Sequence, residues 1–105
     1  MAREADFQSK VLKWLRSKGC IAYKMQQNAT TRIATPDIVW FYKGRYGFLE
    51  VKRAQNASFR PGQKEMVAKL NEWSYARVVF PENFDIIKIE IDRIISNEDM
   101  QDSGV

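Results

Sequence analysis

The chain has 105 residues, a formal charge of +4, one cysteine and no histidine, and its length suits a single domain with one modest core. The missing imidazole excludes histidine-based nucleophilic catalysis and histidine-ligated zinc, and a lone cysteine can form neither an internal disulfide nor a thiolate metal cluster. Cysteine usage and a charged start unlike a signal peptide predict a cytoplasmic protein. Any catalysis must therefore use carboxylates, lysine, hydroxyls or a metal.

The charge is unevenly distributed along the chain. Residues 1–80 hold 15 Lys and Arg against 6 Asp and Glu, whereas residues 81–105 hold 2 against 7. A basic body of this kind indicates a polyanionic partner, with nucleic acid as the first candidate. Net charge alone also fits an ordinary solvated surface.

The first half of the chain alternates between a helix and strands. Apolar residues at helical spacing, from Phe7 through Val11 to Leu15, predict a helix over residues 4–18 that stops at Gly19. Composition and alternation then predict, in order, a strand over 20–25 whose Cys20 is buried, a polar loop over 26–35, and a hairpin of strands 37–42 and 47–53 around a turn with Gly44.

The second half begins with a helix from Pro61 to about Trp73, followed by a strand over 76–80. Residues 86–91 alternate at period two, which favours a strand, although the apolar residues that follow leave a helix open. The predicted fold class is α/β, with one domain over residues 1–95 and an acidic, disordered tail over 96–105.

Two carboxylates and a lysine stand out in the hairpin. Pairing about the turn places Asp37 opposite about residue 51, within one position of Glu50. Glu50 and Lys52 are two residues apart, so they share a face of the sheet. A charged residue within an otherwise apolar strand is costly unless it is paired or coordinated.

These groups suit a hard divalent cation. Mg²⁺ needs only one or two protein carboxylates, which Asp37 and Glu50 can supply, and the backbone carbonyl of Val51 can add a third oxygen. Lys52 can stabilise charge on a phosphate, or orient and deprotonate the attacking water. The competing interpretation is a Glu–Lys pair on a solvated sheet face.

Glu4 lies on the apolar stripe of the first helix, because Phe7 and Val11 follow it by three and seven residues. Two interpretations stay open: a partner for the metal site or Lys52, and a favourable charge near the helix N-terminus.

Taken together, these residues resemble the motif of a known family. Glu4, Pro36-Asp37, Glu50-Val51-Lys52 and Gln63 resemble the PD-(D/E)XK nuclease superfamily, closest to the VRR-NUC domains, whose core is shared by Holliday-junction resolvases. The resemblance implies a restriction-endonuclease-like αβββαβ core, a small mixed β-sheet flanked by helices. It also implies Mg²⁺, with Mn²⁺ as a substitute, at Asp37 and Glu50, with Lys52 catalytic and Glu4 assisting. Gln63 would contact the phosphate or orient Lys52.

Basic residues around this site are candidates for phosphate contacts, which would give salt-dependent and sequence-independent affinity. They are Lys24, Arg32, Lys43, Arg45, Arg53, Arg60 and Lys64. Each is also explicable as a solvated surface residue.

The expected function is a metal-dependent endonuclease acting on branched DNA in recombination and repair, as a homodimeric Holliday-junction resolvase, because paired nicks need two active sites. The alternatives are a flap- or restriction-like nuclease and a catalytically inactive nucleic-acid-binding module. A surplus of large apolar side chains permits a dimer interface, and each of them also fits the core. They are Trp40, Phe41, Tyr42, Tyr46, Phe59, Trp73 and Tyr75.

Overall fold

The computed structural model describes residues 3–26 and 34–97, and no helix within these ranges is long and apolar enough to cross a membrane. The elements in chain order are α1 (Glu4–Ser17), β1 (Ile21–Lys24), β2 (Ile38–Tyr42), β3 (Arg45–Val51), α2 (Gln63–Trp73), β4 (Tyr75–Val79), a 3₁₀ turn (Pro81–Asn83) and α3 (Phe84–Ser96).

The four strands form one mixed sheet in the order β1-β2-β3-β4. The first three strands are antiparallel, and β4 runs parallel to β3 after the α2 crossover. A parallel pair needs such a long connection, whereas antiparallel strands can be joined by a short turn. The predicted αβββαβ order and mixed sheet are therefore confirmed.

The hairpin turn is tighter than the sequence suggests. Tyr42 pairs with Arg45, so the turn consists of Lys43 and Gly44 alone, and both have positive φ, at 45° and 84°. Mirror-image two-residue turns of this kind match the twist of the flanking strands.

The turn fixes the register of β2 against β3. Ile38 pairs with Leu49, so Asp37, one residue earlier, lies at the position opposite Glu50. The sequence-based register placed Asp37 one residue further along β3.

α1 and α3 pack together on one face of the sheet and enclose the main core. Its helical part comes from residues at helical spacing, and its strand part from alternate residues of the sheet: Phe7, Val11, Leu15, Ile87 and Ile91 with Cys20, Ala22, Ile38, Trp40, Leu49, Val51 and Val79. Cys20 is thus buried, as predicted, and burial raises the pKa of its thiol. A Cβ at Gly47 would lie 2.6 Å from the Trp40 ring, so this strand position has room only for glycine.

α2 packs on the opposite face, over β4 and β3. Its buried residues, Gln63 and Leu70, differ in kind, since one is polar and lies at the start of the helix. The sheet therefore has one covered face with an apolar core and one face with buried polar groups beneath α2.

The expectation of a strand over residues 86–91 is wrong, because these residues belong to α3. Ile87 and Ile91 are buried four residues apart, which is helical spacing. The ring of Phe84 stands edge-on to Phe7 at 5.3 Å and to Trp14 at 6.2 Å, so packing against α1 selects the helix. Because α3 continues to Ser96, the disordered tail stays a prediction, and its residues from 98 onward lie outside the described ranges.

Candidate active site

Asp37 is held at the point where β2 and β3 stop pairing. The backbone N–H of Val51 donates a hydrogen bond to Asp37 Oδ2 at 2.8 Å. On the other side, the N–H of Met25 donates to the backbone carbonyl of Asp37 at 2.7 Å. The side chain therefore takes over the role of a strand carbonyl, which fixes its carboxylate beside Glu50.

Glu50, Lys52 and Gln63 form a buried polar cluster. Only 2%, 7% and 3% of these residues is exposed, respectively. The ammonium Nζ of Lys52 lies 3.6 Å from Glu50 Oε2. Ionisable side chains are seldom buried this deeply unless they are paired, because desolvation disfavours the charged form.

The Gln63 amide connects the two charged groups. Its Oε1 accepts hydrogen bonds from Lys52 Nζ at 2.8 Å and from the backbone N–H of Arg60 at 2.6 Å, while its Nε2 donates to Glu50 Oε2 at 2.9 Å. Gln63 reaches the cluster because α2 begins there, directly after Gly62 with φ of 84°. The amide thus fixes the orientation of both Lys52 and Glu50.

Burial and a neighbouring acid change the acidity of Glu50. Desolvation, the charge of Asp37 and a hydrogen bond to the Asp37 carboxyl raise the pKa of Glu50 to about 8, against a smaller lowering by Lys52. Two carboxyl groups that approach this closely cannot both ionise easily without a cation between or beside them.

Glu4 is exposed in the first turn of α1. Its charge also contributes, as the smallest cause, to the raised pKa of Glu50, so the structure brings Glu4 to the side of α1 nearest the site. One turn later on the same helix face lies Gln8, which is buried. Gln8 was not among the predicted site residues, and its only sequence signal is a polar residue on an apolar stripe.

Phe59 is a second residue that the sequence did not assign to the site. Its ring receives the ammonium of Lys52 at 4.9 Å and that of Lys64 at 5.0 Å. Cations over an aromatic face are stabilised by the ring quadrupole. Phe59 also lines a groove of about 490 Å³ formed by residues 55–62 with Lys64 and Glu65.

The predicted phosphate-contacting residues lie in different surroundings. Lys24, Arg53, Arg60 and Lys64 are exposed near the site, on β1, after β3 and around the groove. Lys43 is exposed at the hairpin turn, 5.6 Å from the Tyr42 ring centre. The guanidinium of Arg45 instead donates to the carbonyl of Asn97, at the end of α3, at 2.9 Å. Arg32 lies outside the described residues, and DNA contact by any of the set stays a prediction.

The oxygen groups of the site suit a divalent cation that keeps most of its bound water molecules. Within residues 3–26 and 34–97, no three acidic, histidine or cysteine side chains form a cage for a metal. Mg²⁺ does not require such a cage, because it keeps several waters and binds through one or two carboxylates. The Asp37 and Glu50 carboxyls provide that pair.

The candidate dimer aromatics fall into separate groups. Trp40 is fully buried and Tyr42 packs against the core. Tyr75 donates a hydrogen bond to Glu90 Oε1 at 2.6 Å. The remaining exposed rings belong to Phe41, Tyr46 and Trp73.

Comparison with known proteins identifies the fold. No protein-family model and no curated protein sequence matches the chain. The structure is similar to that of Archaeoglobus fulgidus Hjc, a Holliday junction resolvase from an archaeal hyperthermophile, with a TM-score of 0.54 and 18% sequence identity over 73% of this chain and 69% of that one. The chain therefore has the predicted restriction-endonuclease-like fold, of the kind found in a resolvase.

Proposed function

We propose that this protein is a metal-dependent endonuclease that hydrolyses phosphodiester bonds in branched DNA, as a Holliday-junction resolvase does. The observation that carries the proposal is the buried Glu50–Lys52–Gln63 cluster with the Asp37 carboxyl beside it. A solvated Glu–Lys pair would not need this burial. Support also comes from the similarity to a resolvase structure and from the basic body of the chain.

Asp37 and Glu50 are the proposed ligands of Mg²⁺ or Mn²⁺, with the Val51 carbonyl as a third oxygen and Glu4 assisting. A divalent cation at these groups supplies positive charge to the scissile phosphate and lowers the pKa of water.

Lys52 has the clearest role among the protein groups. Its ammonium is held by the Gln63 oxygen at 2.8 Å and lies over the Phe59 ring, so it is oriented before substrate arrives. A fixed cation is well suited to stabilise charge that develops on a phosphate, without reorganisation during the reaction. Gln63 then acts as a positioning residue for Lys52.

Two finer assignments belong to the same proposal. The protein acts as a homodimer, because resolving a junction takes paired nicks and each chain carries one site. We also place it with the VRR-NUC branch of the superfamily, on the combination of Glu4, Asp37, Glu50, Lys52 and Gln63.

The proposal is tested with a four-way junction, a flap, a duplex and single strands, each with and without Mg²⁺. We expect symmetric nicks in the junction that require the metal. Preferential cutting of the flap or of plain duplex would favour the flap- or restriction-like alternative, and cutting without a divalent cation would refute the metal assignment.

A matched set of variants tests the residue roles. Asp37→Asn should abolish cleavage and leave binding to the junction in Ca²⁺ unchanged, whereas Glu72→Gln, on the exposed part of α2, should cut normally. Lys52→Ala should reduce turnover far more than DNA affinity. An effect no larger than that of Arg53→Ala would remove Lys52 from the catalytic group.

A further inference from the structure

Phe59 contacts two lysines that the proposed function does not connect. The ammonium Nζ of Lys52 lies 4.9 Å from the centre of the Phe59 ring, and that of Lys64 lies 5.0 Å from the same centre. The two nitrogens are therefore separated by at most the sum of these two distances. One ring thus brings the proposed catalytic cation, which follows β3, close to a surface cation that belongs to α2.

The two lysines differ in burial and in partners. Only 7% of Lys52 is exposed, and its ammonium is held by Gln63 Oε1 at 2.8 Å. Lys64 is exposed, and among residues 3–26 and 34–97 it forms no ion pair with a carboxylate. The charge of Lys64 is therefore available to an anion that approaches from solvent.

The start of α2 determines where both lysines are held. Gln63, the first residue of the helix, reaches inward to Lys52. Lys64 follows it, and because successive helical residues lie about 100° apart around the axis, its side chain leaves the helix in another direction and lies over Phe59. Phe59 is half-buried and lines the groove formed by residues 55–62. Because the face of an aromatic ring attracts cations, the ring holds the two ammonium groups at a defined spacing before substrate binds.

A DNA strand offers pairs of anions at short spacing. It carries one phosphate per nucleotide, and successive phosphates advance only about 3.4 Å along the axis of a duplex. They are therefore the closest pair of phosphates that DNA presents. Lys52 is fixed beside Glu50 at the proposed cleavage site, whereas Lys64 lines the groove. The two cations thus suit the scissile phosphate and its neighbour better than they suit a single phosphate.

We propose that Lys64 and Phe59 form a subsite for the phosphate next to the scissile one on the same strand, with Phe59 as the positioning residue for both ammonium groups. This inference rests on the proposed function, which puts the scissile phosphate at Lys52. It adds a substrate requirement, because efficient cutting of a bond needs a charged phosphate on the neighbouring nucleotide at the side of the groove. A bond at an unphosphorylated strand end lacks this contact, so the subsite favours internal bonds.

A binding test that needs no cleavage compares small ligands in Ca²⁺. Thymidine 3′,5′-bisphosphate presents two phosphates spaced as in a strand, whereas the thymidine 3′- and 5′-monophosphates present one each. The wild type should bind the bisphosphate about tenfold more tightly than either monophosphate in an NMR titration, because one more charged contact forms. Lys64→Ala should lose this preference. Lys69→Ala, at an exposed position further along α2, is the control and should keep it.

Two variants of Phe59 distinguish a positioning role from a packing role. Phe59→Tyr keeps the ring and should keep the bisphosphate preference, whereas Phe59→Leu keeps an apolar side chain without a ring and should reduce the preference to about twofold. Binding is measured at a temperature where circular dichroism shows both variants to be folded. A full preference in Phe59→Leu would overturn the role of the ring, and a preference that survives in Lys64→Ala would overturn the subsite.

Cleavage assays locate the subsite on the strand and separate this inference from the proposed function. Uncharged methylphosphonates are placed one at a time at the phosphates on either side of the cleavage position. Replacing one of the two adjacent phosphates should slow the wild type about tenfold and have no further effect in Lys64→Ala. Equal slowing in both proteins would overturn the subsite and leave the nuclease in place. A protein that prefers the bisphosphate through Lys64 and cuts no DNA would refute the proposed function and leave a site for two phosphates standing.

Discussion

The two faces of the sheet are made from alternate residues of the same strands, yet their environments differ. One face encloses the apolar core, and the other carries the candidate active site. Leu49 points into the core beneath α1 and α3, and Glu50, the next residue, points into the polar cluster beneath α2. The first face is covered, apolar and typical of a stabilising core. The second face carries ionisable groups at the cost of their desolvation. A core residue and a proposed catalytic residue are thus neighbours along β3. Substitutions at the two positions can therefore test the two roles separately.

The largest effect is expected from Glu50→Gln, on the polar face. Loss of the charge of a proposed metal ligand should reduce cleavage at least about a thousandfold. Because the raised pKa keeps Glu50 protonated in the metal-free protein, the neutral amide is a close substitute, so the free energy of unfolding at pH 6 should change by less than about 1 kcal/mol. Single-turnover cleavage and urea denaturation measure the two quantities. A large loss of stability without loss of cleavage would reverse the assignment of the faces.

Leu49→Ala should give the opposite result. A cavity in a fully buried site costs about 2–5 kcal/mol of unfolding free energy, while cleavage at a temperature where the variant is folded should stay within a few-fold of the wild type. Denaturant titration and an activity assay on the same sample test this. Ile89→Ala, at an exposed position of α3, serves as the control and should change neither quantity.

Gln63→Leu should moderately reduce both the free energy of unfolding and the rate of cleavage. It removes the acceptor of Lys52 Nζ and the donor to Glu50, so an unsatisfied buried charge should cost about 1–3 kcal/mol. Misplacement of Lys52 should lower turnover by about 10- to 100-fold with little change in DNA affinity. Glu72→Leu, at an exposed position further along the same helix, is the control. An affinity loss as large as the turnover loss would indicate a phosphate contact instead.

The pH dependence of metal affinity and of stability should follow the raised pKa of Glu50. Below about pH 8 a metal must displace the proton of Glu50, so Mn²⁺ affinity should rise about tenfold per pH unit up to that value and then level off. The metal-free protein should show the reverse trend in stability. Since the folded pKa lies above the ordinary value of 4.5, the contribution of the neutral carboxyl is complete below pH 4.5 and is lost as pH rises to about 8. Calorimetry and denaturation at several pH values measure these slopes, and Glu50→Gln should abolish both.

The smallest effect is expected from Lys64→Ala at the groove beside Phe59. Loss of one phosphate contact should weaken DNA binding a few-fold and reduce the slope of log affinity against log salt by about 1. Lys69→Ala, an exposed lysine further along α2, should leave the slope unchanged. Equal slopes for both variants would place the groove outside the DNA path.

Local pattern was sufficient for most of the fold. Helical spacing in α1, the glycine turn between β2 and β3, and the proline before α2 are local signals, and each element appears within one or two residues of its predicted position. α3 was assigned wrongly because Ile86 to Ile91 fit a strand and a helix equally well. Only the contact of Phe84 with Phe7 and Trp14 distinguishes the two, and that contact joins opposite ends of the chain.

In the candidate site, too, some features follow from the local sequence and others depend on contacts between distant segments. The sequence establishes which residue types are present and predicts that Asp37 and Glu50 are near neighbours, because a short turn around Gly44 leaves few registers. The burial of Glu50 and Lys52, the Gln63 bridge between them and the position of Phe59 under the lysine are visible in the tertiary structure alone. These contacts depend on where α2 packs against the sheet. The spacing of residues along the sequence does not reveal how distant segments pack together.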